Sequence, residues 1–166
     1  MKLGIVTKQQ AEQVRIWRNL DIDAYRTSFP LTQEMQEDFY YKTICNRDSK
    51  DRFFSVMDGD PDCFIGMIGL ENISLENRSA EISIVIDPEL RGKGYGKKAI
   101  ELLLQEGFER LNLDNIYAEC YICSPSLPFW VDLCHEKGVD IVELPRRKYL
   151  NGKYHNSIYF NFVRAS

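Results

Sequence analysis

The chain has 166 residues, 44% hydrophobic and 28% charged, which is enough apolar side chain for one domain with a sizeable core. A formal net charge of −4 argues against general nucleic-acid binding, and no run approaches the ~18 apolar residues of a membrane span. Five cysteines, an odd number, and an N-terminal stretch too poor in apolar residues for a signal peptide lead us to expect reduced thiols in a cytoplasmic protein.

Residues 3–7, LGIVT, read as a first strand. Over residues 8–20 the apolar side chains fall at 11, 14, 16, 17 and 20, close to helical spacing. Thr32 suits the N-cap of a second helix, with Glu34 and Glu37 in its early turns and Met35, Phe39, Tyr40 and Ile44 following. Residues 46–49 (NRDS) end it. Strands are then expected at 53–57 and 63–73, joined by the turn Asp58-Gly59-Asp60-Pro61, a hairpin signal. Gly66 and Gly69 mark a bulge or a close backbone approach within the second of these strands. A turn at 75–79 leads into a strand over 80–86, which stops at Asp87-Pro88.

A long helix is expected over 96–111, its apolar residues at 99, 100, 102, 103, 104, 107, 108 and 111 making a broad face for a sheet. Residues 116–122 form the next strand, and 126–137 a helix closed by Gly138. Strands at 141–144 and 157–163 follow, joined by RRKYLNGKYHN, a basic loop with an Asn-Gly turn. There is no internal repeat and no linker. The pattern defines one α+β domain over 1–166, with a mixed sheet and a helix pair in front. Cys120-x-x-Cys123 lies in a strand-like run with no second such pair, so no metal site is expected. His135 and His155 read as surface or structural residues.

The segment Arg91-Gly92-Lys93-Gly94-Tyr95-Gly96 between a strand and a helix has the chemistry of an anion cradle. Alternate glycines let backbone N–H groups approach a ligand with no Cβ in the way. A helix N-terminus behind them adds unpaired N–H donors and partial positive charge. Arg91, Lys93, Lys97 and Lys98 put four cations within eight residues. The spacing fits neither a P-loop, which needs GxxxxGK[ST], nor a dinucleotide fingerprint, which needs GxGxxG on an early strand. A pyrophosphate is the expected ligand.

This segment resembles the acetyl-coenzyme A motif of the GNAT superfamily of N-acetyltransferases, [QR]-x-x-G-x-[GA], with Arg91, Gly94 and Gly96 at its fixed positions. The resemblance extends over roughly residues 10–163. It is greatest to the branch holding ribosomal-protein N-terminal, spermidine and amino-sugar acetyltransferases, which also carry a Trp-Arg-Asn triplet like Trp17-Arg18-Asn19. It implies an α+β (α/β three-layer) fold: a mixed, mostly antiparallel seven-stranded sheet, about four helices and a splayed parallel strand pair. It implies acetyl-coenzyme A as cosubstrate and no metal. The pantetheine arm would lie between 82–86 and 116–122, against backbone groups of Ile84, Val85 and Ile86. The pyrophosphate would take N–H groups from Arg91, Gly92, Lys93, Gly94, Tyr95 and Gly96, with Lys97 beside it.

For the proton-accepting base the resemblance points first to Glu81 and then to Glu119. Arg18 and Arg26 become candidate acceptor contacts. Relatives read N-P-x-A-x-x-L-Y-E-K-x-G-F near the last helix. Here Leu127 stands at the Asn position and Cys134 at the Tyr position that protonates the leaving thiolate. Ser124 or Ser126 is the substitute for the lost asparagine. Cys134 reads either as the acid or as a small buried residue. The expected reaction acetylates a primary amine of a small molecule, with an amino sugar on a nucleotide favoured by Arg18, Arg26, Arg146 and Arg147. A protein N-terminus or a polyamine is the alternative, the latter calling for an acidic pocket such as Glu34, Glu37 and Asp38. A non-catalytic acyl-coenzyme A-binding module is the rival of a different class. The protein is expected as a monomer or homodimer without nucleic-acid or membrane partners.

Overall fold

Thr7 starts the first helix because its hydroxyl accepts from the Gln10 N–H at 3.2 Å while the Gln10 side chain accepts from the Thr7 N–H at 2.9 Å. The computed structural model describes residues 1–26, 29–59 and 61–164. In it this helix, α1 (Lys8–Asn19), buries Ala11, Val14 and Trp17. Thr32 caps α2 (Gln33–Phe39), which continues as a wider turn to Ile44. Helix α3 (Tyr95–Gln105) also ends in a wider turn, through Arg110, and α4 (Leu127–Lys137) is closed by Gly138 in the left-handed region.

The strands are β1 (Lys2–Gly4), β2 (Arg52–Asp58), β3 (Cys63–Ser74), β4 (Ser79–Ile86), β5 (Asn115–Tyr121), β6 (Ile141–Leu150) and β7 (Lys153–Val163). They make one seven-stranded sheet in the order β1-β2-β3-β4-β5-β7-β6. Every pair is antiparallel except β4–β5. This is the mixed, mostly antiparallel three-layer fold expected from the resemblance.

Alternation along the strands feeds two cores, one on each face. Ile68, Leu70, Ile82, Ile116 and Phe160 pack with Ala99, Leu103 and Trp130 of α3 and α4. On the other face Met67 and Val85 meet Val14 and Trp17 of α1, and the Trp17 ring stacks on Phe64 with centroids 5.4 Å apart. Gly66 is a close approach: a Cβ there would sit 2.4 Å from the Val85 carbonyl oxygen. The β2–β3 ladder slips beside it, between Val56 and Met57, so both readings of that glycine hold.

Asp60 of the predicted 58–61 turn lies outside the described residues; Gly59 beside it has φ +90°, and Asp58 pairs with Cys63 across the turn. One expectation changes. The basic loop expected between the last strands is instead their continuation, a long hairpin turning at Asn151-Gly152 with φ +51° and +79°. Pro145 and Arg146 interrupt the ladder between Leu144 and Lys148, and that break hides the strand from its sequence pattern.

Candidate active site

The β4–β5 ladder is short, from Ser79↔Asn115 to Glu81↔Tyr117, and beyond it the two strands part. Ile82 to Ile86 therefore run with an antiparallel partner in β3 and none in β5, beside a gap at strand level. Ile84, Val85 and Ile86 lie along this edge. At its far end the chain makes one turn, Pro88–Leu90, and enters the glycine loop.

Gly92 (φ +74°) and Gly94 (φ +83°) adopt conformations that disfavour other residues, and a Cβ on either would meet no protein atom within 4 Å. Gly94 is the N-cap of α3 and offers its first turn no side-chain acceptor, which leaves backbone donors for a ligand. The open space above the loop, the uncapped helix and the strand gap together fit a coenzyme A: diphosphate at the loop, pantetheine in the gap. Gly96 has a different reason, since a Cβ there would come 3.3 Å from the Phe129 ring. Lys97 is ion-paired with Glu136 of α4, while Lys93 is exposed. Arg91 reaches back to Asp21 at 3.8 Å.

Pairing in the sheet puts Glu71 opposite Glu81 and Glu81 opposite Tyr117, so these side chains share a face with Glu119, two residues past Tyr117. Glu81 lies against Arg26, whose Nη2 donates to Oε1 at 2.5 Å and Nη1 to Oε2 at 3.5 Å. The Asn72 amide adds a donor at 3.4 Å. Glu119 accepts from Arg147 at 2.8 and 3.2 Å and from the Ser157 hydroxyl at 2.5 Å. Arg26 Nη2 also stands 3.8 Å from Glu119 Oε2, bridging the two carboxylates.

These surroundings set the proton affinities. Arg147 holds the Glu119 carboxyl below its ordinary value, against the opposing effect of burial. Burial pushes the Glu71 carboxyl up, and the Glu81 charge adds to this although Ser83 hydrogen-bonds it. Glu81 raises the affinity of the Arg26 guanidinium for its proton.

Glu71 is the residue sequence reasoning missed. Its signal was available: folding the 70–82 hairpin about its turn brings Glu71 against Glu81. Arg18 lies over the Tyr25 ring at 4.9 Å, and burial lowers its pKa. Arg146 stacks on Tyr154 at 4.4 Å, out on the hairpin. Of the suggested acidic pocket, Glu37 and Asp38 sit on α2 paired with Lys8 and Lys42, and neither belongs to the strand carboxylates. The buried Ser124 hydroxyl is 2.9 Å from that of the exposed Ser126. Cys134 is fully buried in the α3–α4 core, where burial pushes its thiol up to about 11. That places the thiol among apolar side chains, as the small buried residue of the two readings above.

Glu119 gives a stability test. A carboxylate whose folded pKa lies below its unfolded value stabilises the fold above the ordinary value of 4.5 and loses that contribution as pH falls through the folded value. Glu119→Gln is expected to lower the melting temperature at pH 7 and to flatten the decline in melting temperature that the wild type is expected to show as pH falls below 4.5. An unchanged acid limb in melts across that range would remove the pair from the stability account.

The family described as Acetyltransferase (GNAT) domain matches residues 4–122. The chain belongs to this family. Among characterised relatives, the spermidine N(1)-acetyltransferase of Vibrio cholerae is 35% identical over 119 residues, 71% of this chain and 65% of that protein. The Escherichia coli K12 enzyme of the same description is 32% identical over 130 residues, 73% of this chain and 62% of its own length. The matched stretch thus spans somewhat under two thirds of these relatives.

In three dimensions the likeness runs further. A solved variant of the Vibrio cholerae spermidine N-acetyltransferase superposes with a TM-score of 0.83 at 27% identity, covering 98% of this chain and 95% of that one. A dodecameric structure of that enzyme in an intermediate state gives 0.80 at 28% identity, covering 98% and 92%. The family match stops before α4, β6 and β7, yet their fold is retained.

Proposed function

We propose that the chain is an acetyl-coenzyme A-dependent N-acetyltransferase acting on a small amine that carries several positive charges, a polyamine such as spermidine. One observation carries this reading: Glu71, Glu81 and Glu119 share a face of the sheet where β4 and β5 begin to part. Such a cluster repels the phosphates of a nucleotide-linked amino sugar and attracts ammonium groups. The arginines invoked for an anionic acceptor are otherwise engaged, Arg26 and Arg147 with these carboxylates. The spermidine acetyltransferases among the relatives support the same choice. The dodecamer known for one of them extends the range of assemblies to consider beyond a monomer or homodimer.

Acetyl-coenzyme A supplies an activated thioester. The chain's own part is to hold the amine, accept its proton and keep it facing the gap. Glu81 is the anchor for the ammonium. Glu71 takes the proton, directly or through a water, because its raised affinity brings it nearer to that of an amine. The contact with Ser83, two residues along β4 from Glu81, opposes this rise without cancelling it. The neutral nitrogen then attacks the thioester carbon, the C–S bond breaks, the new amide nitrogen gives its second proton to water, and the thiolate takes one from the same water.

Thiol release measured with spermidine, spermine, a monoamine and a nucleotide-linked amino sugar tests the reading. Turnover is expected with the polyamines. Turnover of the amino sugar alone would overturn it, and coenzyme binding without turnover of any amine would leave the non-catalytic module.

A further inference from the structure

The carboxylate cluster already holds a cation. We infer that Arg26 is an internal occupant of the acceptor site: its guanidinium sits in the seat of a substrate ammonium and must leave before a polyamine binds. The inference rests on the acceptor reading above. Arg26 and a protonated amine offer the same chemistry, N–H donors on a positive charge. Its Nη2 lies between Glu81 at 2.5 Å and Glu119 at 3.8 Å, across the last parallel pair before the gap.

Exposure favours departure. The Arg26 side chain is 58% exposed, whereas those of Glu81 and Glu119 are 10% and 9%. The cation therefore lies on the solvent side of the acids and can swing off without disturbing the core. What it leaves behind is unequal. Glu119 keeps Arg147 and Ser157. Glu81 keeps only the Asn72 amide at 3.4 Å among the described residues, and a mostly buried carboxylate so poorly partnered demands another cation.

The root of the side chain is fixed. Lys148, buried on β6, donates its ammonium to the carbonyls of Asp23 and Tyr25 and lies 4.9 Å from the Tyr121 ring centre. The backbone just before Arg26 is thereby tethered, so its displacement is a rotation of the side chain about a pinned base. This makes Arg26 a specificity determinant. A monoamine merely exchanges one cation for another at Glu81, whereas a polyamine brings a second positive charge to the carboxylate face.

The test compares wild type with Arg26→Ala, Arg26→Gln and Arg26→Lys, in steady-state kinetics with spermidine and with a monoamine of similar length. A seat filled nine parts in ten by its own arginine raises the apparent dissociation constant about tenfold. Arg26→Ala and Arg26→Gln should therefore lower the KM for spermidine by about tenfold, leave kcat within about threefold and improve monoamine turnover, while Arg26→Lys stays close to wild type. Should neither neutral variant fold, the wild type still decides. Labelling with an arginine-specific dicarbonyl and reading Arg26 by mass spectrometry should show faster modification when spermidine is added. Slower modification, or a KM unchanged or raised in a folded neutral variant, overturns the internal occupant while leaving the polyamine reading standing. Absence of polyamine turnover by the wild type overturns that reading itself.

Discussion

Gly94→Val is expected to cut coenzyme affinity by at least about 100-fold, about 2.7 kcal/mol, while the protein still folds. Gly94 sits at φ +83°, where a β-branched residue is strained by about 1–3 kcal/mol. No protein atom lies within 4 Å of the added Cβ, so the chain itself does not resist the substitution by collision. What the isopropyl group takes up is the open volume over the uncapped start of α3, where a diphosphate has to sit. Gly138→Val separates the two effects. It too has a positive φ, +62°, and open surroundings, but it closes α4. It should lose comparable stability and keep its affinity. Titration calorimetry with coenzyme A and thermal melts on both variants provide the comparison. Undiminished affinity in Gly94→Val would dismiss the cradle.

Glu71→Gln is expected to lower kcat by about 10²–10⁴-fold, the usual worth of a positioned base. The pH dependence gives the sharper result. A base works deprotonated, so kcat/KM should climb with pH through a Glu71 pKa above the ordinary 4.5. In Glu71→Gln that rise should vanish. Glu81→Gln should act mainly on the KM for the amine, since Glu81 is proposed to hold the ammonium. If the rise survives in Glu71→Gln and disappears in Glu81→Gln, the base returns to Glu81, where the sequence alone had put it.

How far the residues announced this arrangement depends on what fixes each part. The glycine loop was legible because its constraint is local: positive φ, no side-chain cap and adjacent cations all lie within a few positions. The helix starts at Thr7 and Thr32 were legible for the same reason. The carboxylate site was only half visible. Glu81 stood out by its place at the head of a strand, but Glu71 enters through register and Arg26 through a contact 55 residues away in sequence. Arginine in a sequence suggests an anion-binding surface; the structure shows Arg26 and Arg147 spent on carboxylates. The full length of the last hairpin was missed because Pro145 and the charges after it break the alternation by which strands are recognised, although both strands were expected and Asn151-Gly152 marked its turn.

The short β4–β5 ladder has a mechanical consequence. Three paired positions stitch a four-strand leaf, β1 to β4, to a three-strand leaf, β5, β7 and β6. Glu81 sits at the final stitch and Glu119 two residues beyond it on the other leaf, while Glu71 rides with Glu81. The width of the slot and the spacing of Glu81 from Glu119 are therefore one variable, set by how far the seam runs. Lengthening the seam by one pair would narrow the slot and shift these two acids together, and drift of one leaf against the other would be felt by both at once.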